Sequence, residues 1–237
     1  MKRLHSIFAL AGLLAGTSDG LPQGFINLNF EQANVSGYSP ESFLSVPASS
    51  AFPGWSPLFV SGTGTNIQSV VSYDVLPLSA AAISIGDTNL TQYGLGPIQG
   101  RYSAFLFGAD DVSAGLSQSA LIPVNTESLL MSVRRVTYFP GGSLTVMIGG
   151  QLITMTAIQQ FSDYTIYGGN IAAFAGQIMP LTIMDVPGSN AESAYGWEID
   201  GIQFSPSPVP EPCGLPLALL GTGLIGMLRW RRSRTGQ

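Results

Sequence analysis

Before its last 29 residues, this 237-residue chain contains no long apolar stretch with a 3.6-residue period. A packed helix needs that period to bury one face. Short apolar runs recur instead, separated by Gly, Pro, Asn and Ser clusters, the punctuation of strands and turns. At the start, Phe25, Leu28 and Phe30 alternate imperfectly with Asn27 and Asn29, which predicts an opening strand over 25–31. Further strands are expected at 81–85, 102–107, 129–133, 144–148, 152–155, 164–167 and 181–184, with 199–204 closing the domain. A single helical turn fits 170–175. Eight or more short strands with long irregular connections make an all-β chain, an antiparallel sandwich over 21–204.

Charge narrows the chemistry. Between residues 21 and 205 there is no Lys, His or Cys, and the only cations are Arg101, Arg134 and Arg135, against twelve acidic residues. A body carrying about nine net negative charges does not suit nucleic acid or an anionic membrane. With His5 in the N-terminal leader, the body has no Ser-His or Cys-His nucleophile pair. It has no His or Cys for zinc and no Lys for a Schiff base. Carboxylate chemistry survives, either as a glycosidase-type acid pair or as oxygen-ligated calcium. Asp110 and Asp111 are adjacent, so on a strand they would point to opposite faces; a solvated loop pair fits them better.

Both termini read as addresses. Lys2 and Arg3 precede a mostly apolar run to Gly16 and small residues after Ala15, a secretory signal peptide over 1–20. Near the other end, Pro206, Pro208, Pro210 and Pro212 alternate with Ser207, Val209 and Glu211. Each proline fixes φ and biases its predecessor toward extended structure, so 205–212 is a stiff linker that holds Glu211 exposed. The next 16 residues, 213–228, carry no charge. As a helix they reach about 24 Å, a slightly short membrane span. Arg229, Arg231, Arg232 and Arg234 follow in the tail 229–237 and place the C-terminus in the cytoplasm. Gly221, Gly223 and Gly226 match a dinucleotide-binding G-x-G-x-x-G pattern, but inside the apolar run and without a strand before them they are only small residues of a span.

Val209-Pro210-Glu211-Pro212, the apolar run and the arginine cluster together resemble the PEP-CTERM signal that exosortase membrane enzymes recognise. A plain C-terminal anchor is the alternative. Cys213 departs from the small or polar residue more usual after the motif. The resemblance implies export through the Sec translocon and an inner-membrane-anchored precursor. An exosortase-type processing enzyme then cuts near Pro210–Pro212 and releases the body to the cell surface or extracellular space.

The body resembles galactose-binding-like jelly rolls, the fold of many carbohydrate-binding modules. The likeness rests on Asn27-Leu28-Asn29-Phe30-Glu31 as the opening strand and on 116–120 with 123–132 as paired central strands. Ile199-Asp200-Gly201-Ile202-Gln203-Phe204 would be the closing strand, lying beside the first. The resemblance implies a structural calcium held by Glu31 and Asp200; the alternative is carboxylates satisfied by backbone N–H groups. It also makes Trp55 and Trp197 candidate sugar platforms, with core packing as the alternative for each. The expected function is a non-catalytic surface or extracellular-matrix protein. A carbohydrate-binding module recognising a matrix polysaccharide is the second reading, and a carboxylate-dependent glycan hydrolase the third.

Overall fold

The structure, a computed structural model, describes residues 24–38, 45–75, 80–90, 95–136, 142–188 and 195–209. The signal peptide, Pro210, Glu211, Pro212, the span 213–228 and the tail arginines lie outside them. Among the described residues no helix is long and apolar enough to cross a membrane.

In chain order the elements are β1 (Ser45–Pro47), α1 (Ala48–Ala51), β2 (Ser56–Ser61), β3 (Gly64–Ile67), β4 (Val70–Tyr73) and β5 (Ala82–Asp87). They continue with β6 (Tyr102–Gly108), β7 (Ser113–Leu121), β8 (Ser128–Arg135), β9 (Ser143–Ile148) and β10 (Gln151–Ile153). The last are β11 (Thr156–Gln160), β12 (Thr165–Asn170), a 3-10 turn (Ala172–Phe174), β13 (Ile178–Val186) and β14 (Tyr195–Ser205). They form two sheets, an eight-stranded one in the order β1-β4-β5-β6-β14-β8-β12-β11 and a six-stranded one in the order β10-β9-β13-β7-β2-β3. The described residues therefore form a nearly all-β sandwich. Its pairings are antiparallel except β4 with β5.

Alternation builds the core. Ile83, Ile85, Ala104, Leu106, Met131, Val133 and Ile199 point inward from the larger sheet, meeting Leu116, Val146, Ile148, Leu181 and Ile183 from the smaller. Burying each large aliphatic side chain contributes roughly 1.5–3 kcal/mol. A second, smaller cluster lies on the opposite side of the larger sheet. Phe105, Phe107 and Ala82, out of phase with the inner residues, are covered there by Leu90 and Leu95 of the connection after β5. All seven residues of β6 are thus buried, because that strand has a core on both faces.

Several sequence expectations change. Residues 25–31 form turns, not a strand: Asn27 and Phe30 adopt positive φ (52° and 58°). Side chains hold the segment where a ladder would. Asn27 donates to Pro53 O and accepts from Gln32 N, while Gln118 brackets Ile26 on both its N–H and C=O. The closing strand β14 lies between β6 and β8, and one backbone bond, Ile202 N to Leu28 O, links it to the opening segment. Strands β7 and β8, expected as a pair, belong to opposite sheets.

Candidate functional site

The cleft of greatest chemical interest opens where β8, β12 and β14 end. Register places it: Trp197 on β14 faces Arg135 on β8, and β12 pairs with β8 so that Tyr167 lies opposite Met131. Two overlapping cavities, of 330 and 390 Å³, share Val133, Arg135, Tyr167 and Trp197. The first runs between the sheets over an apolar floor of Met131, Val133, Leu144 and Met155. The second opens toward the β11–β12 hairpin tip, where Gln160, Phe161, Asp163 and Tyr164 line it. Phe161 N–H donates to Tyr164 O at 2.9 Å, and the two rings stack at 4.5 Å with 18° between their planes. The Arg135 guanidinium lies 5.3 Å from the centre of the Trp197 ring, a cation–π contact.

Beneath this mouth sit buried charges. Arg134 reaches Glu198 at 2.6–2.7 Å through two of its nitrogens, approaches Asp163 at 3.6 Å and donates to Gly96 O. Burial pushes the Glu198 carboxyl up to about 7, and Arg134 pulls it back only in part. Asp185 of β13 crosses to the other sheet and accepts the Gly108 N–H at 2.7 Å. It too is raised to about 7 by burial, against the Gly108 N–H, the Trp197 indole and Arg135. Asp185 Oδ1 and Trp197 Nε1 are both buried and short of a regular hydrogen bond.

Trp197 is half-buried and lines both cavities, whereas Trp55 is turned inside. Trp55 donates its indole N–H to Asn27 O at 3.0 Å and packs against Phe30, so its faces belong to the core and offer no sugar platform. Glu31 and Asp200 meet the same loop. Glu31 Oε1 accepts the Arg101 and Tyr102 N–H groups, and Asp200 Oδ2 accepts the Gln99 N–H and the Ser103 hydroxyl. Asp200 Oδ1 takes the Gly201 N–H at 2.6 Å. Gly100, at φ +63°, lets the loop close over Glu31, where a Cβ would stand 2.3 Å from Oε1. Calcium needs six to eight oxygens. Glu31 Oε1 and both Asp200 oxygens already receive N–H or O–H donors, which leaves too few free oxygens for it, and no group of three or more candidate ligands occurs among the described residues. Burial raises Asp200 to about 6, against those donors. Asp110 and Asp111 occupy a tight turn with φ of 49° and 61°, both exposed.

Sequence reasoning missed Phe161, Tyr164, Tyr167, Arg135 and Asp163 as cleft residues. One local signal existed: Arg134-Arg135 is the only adjacent pair of cations in the body. At the other end of β14, Ser128 Oγ donates to Ser207 O at 2.7 Å and Ser207 N–H to Ser205 Oγ at 3.1 Å. Val209, half-buried, is the one residue of the Val-Pro-Glu-Pro motif that the structure describes.

No protein-family model matches the chain, and no curated protein matches it. Among solved structures it is similar to the enzymatically active domain of tailspike protein 4 of bacteriophage CBA120, at 11% identity and a TM-score of 0.38. That likeness covers 70% of this chain and 22% of the tailspike chain. At this level it carries no argument about fold or activity.

Proposed function

We propose that this chain is an exported, non-catalytic surface or extracellular-matrix protein, sorted and cleaved through a PEP-CTERM signal. The observation that carries the reading is the ordered tail: Val209-Pro210-Glu211-Pro212, an uncharged run over 213–228, then four arginines. The geometry before it supports this. The last strand ends at Ser205, and the proline-rich linker follows directly, its first turn tied to Ser128. A processing enzyme of the exosortase type would thus meet its motif a few residues from a folded body. In this reading the apolar run spans the inner membrane after Sec-dependent export, and the sandwich is a jelly roll.

Intact mass of the mature protein from the cell surface tests the proposal. Loss of residues 1 to about 20 together with everything past about Pro212 is the expected result. A mature chain still ending at Gln237 would reduce the tail to an ordinary anchor.

The cleft favours a second reading, saccharide binding. Half-buried Trp197 and Tyr167, with Phe161 and Tyr164 across the opening, supply apolar ring faces; Gln160, Asp163 and Arg135 supply hydrogen-bond partners. Glycan-array binding by the full chain should be lost in Trp197→Ala. Binding unchanged by that substitution would move any glycan site elsewhere. A non-catalytic role fits the burial of Glu198 and Asp185, which leaves Asp163 as the exposed acid lining the cleft. Polysaccharide hydrolysis by the purified protein would restore the glycan-hydrolase reading.

A further inference from the structure

The six-stranded sheet holds one charged residue among β2, β3, β7, β9, β10 and β13, namely Asp185. That residue is fully buried and points inward. Among the described residues, these strands therefore give the outer face no charge. By alternation it presents Ser56 and Val60 from β2, with Leu58 between them buried, Ser117 and Ser119 from β7, Thr145 and Met147 from β9, and Pro180, Thr182 and Met184 from β13. It is also smooth. Gly115 has no side chain, and Met184 lies across it where a Cβ would stand 2.5 Å from Met184 Cγ. Ser117 and Thr182 hydroxyls bond to each other at 2.9 Å. Three of the most exposed large apolar side chains belong to this face: Leu152 at 69%, Ile67 at 67% and Ile178 at 60%. Leu152 and Ile67 sit on the two edge strands, β10 and β3, neither of which carries the charge or proline that usually guards a sheet edge.

We propose that this outer face is a contact surface for a second copy of the same chain, packed sheet against sheet. Charge argues for a self-partner. The body carries twelve acids and three cations, so two copies repel wherever acidic surfaces meet. The uncharged face is where two copies approach without that penalty. Size agrees. Six strands at about 4.8 Å spacing and nine-residue central strands of about 30 Å give a face comparable to the roughly 800 Å² per partner of a stable interface. A neutral polysaccharide is the competing occupant, but it is gripped by aromatic platforms. The one aromatic residue in these six strands, Phe59, packs against the core between the sheets. This inference rests on neither the tail nor the cleft.

Sedimentation velocity of the full chain in a mild nonionic detergent tests it, comparing wild type with Thr182→Glu and Ser119→Lys on this face and Ala157→Glu on β11 of the other sheet. The apolar tail is common to all four. Wild type and Ala157→Glu should assemble alike, and the two face variants should need at least roughly tenfold higher concentration. Raising salt to about 0.5 M should strengthen assembly by screening acidic repulsion. Circular dichroism identifies folded variants, and either face variant alone suffices. A wild-type chain monomeric in high salt, or folded face variants that assemble like wild type, would overturn the proposal. So would a monomeric wild type held on a neutral polysaccharide column that releases Ser119→Lys, which would give the face to a glycan.

Discussion

The two sheets share one core and almost nothing else. The larger carries the buried acids Asp87, Glu198 and Asp200, the Arg134 pair, the Trp197 cleft and a second small core on its back. The smaller carries one buried acid and a bare neutral exterior. Burial explains the division. Charged groups survive inside only where other layers supply partners. The connection after β5 folds over the larger sheet and supplies partners to those charges: the Gln99 N–H donates to Asp200, and Gly96 O accepts from Arg134. Nothing among the described residues covers the outside of the smaller sheet in that way, and its strands carry no outward charge that would need it.

The sharpest break in this contrast is Arg134→Met. It strands Glu198, whose side chain has no exposure, beside Asp200. Chemical denaturation should show a loss of about 3–5 kcal/mol, and adding Glu198→Gln should return a good part of it. Full stability in the single variant would mean that the pair does not organise the larger sheet.

On the smaller sheet the largest sensitivity is steric. Gly115→Ala places a methyl against Met184 and 2.7 Å from the Ile183 carbonyl, which is backbone. A loss of about 1–3 kcal/mol in the same measurement is expected.

Proton linkage separates the sheets further. Glu198 and Asp185 sit near 7 and Asp200 near 6, all above the ordinary carboxyl range. Asp74 is raised to about 7 by burial and by the neighbouring Asp87 carboxylate, against the Asp87 N–H that it accepts at 2.7 Å. Asp87 itself is lowered: burial opposes ionisation there, and the Asn89 N–H, the Tyr73 hydroxyl and Asp74 outweigh it. A raised carboxyl binds its proton more tightly in the folded state, so its contribution is full below about pH 4 and is lost as pH rises toward 7. Melting temperature should therefore fall across that interval, by roughly 5–10 °C. Asp185→Asn should keep most of the slope, because Glu198, Asp200 and Asp74 remain on the other side. A slope abolished by Asp185→Asn would put the linkage in the smaller sheet.

The smallest effect is expected at the bare face. Ser119→Lys should change the stability of the fold by no more than about 0.5 kcal/mol, since the side chain is exposed and without a hydrogen-bond partner to lose.

Much of the sandwich was legible. The runs at 102–107, 129–133, 144–148 and 181–184 lie within β6, β8, β9 and β13, since a strand buried on one or both faces writes itself as a dense apolar run. Strands β2 and β3 were not legible: the first carries a proline and the second is Gly64-Thr65-Asn66-Ile67, fully exposed, with no pattern for burial to impose. The opening segment misled because Asn27 and Phe30 turn the chain, and the bonds that reward the turn come from Gln118, more than ninety positions away. The same nonlocality hid the cleft. Trp55 and Trp197 are equivalent letters in the sequence; one finds Asn27 O in the core, and the other finds Arg135 across a strand pair. Phe161 and Tyr164 joined Trp197 only through the β12–β8–β14 register.

The position of β14 has a mechanical meaning. It is the last strand, 11 residues long, yet it lies between two others, paired antiparallel with β6 over Tyr195–Ile199 and with β8 over Trp197–Ser205. Tension arriving from the C-terminal side enters at Ser205 along the strand axis. It meets the β8 ladder lengthwise, so those bonds are loaded in shear together, where a pull across the strand would unzip them one at a time. The strand that leads to the C-terminus is thus the one whose ladder bears a lengthwise pull best.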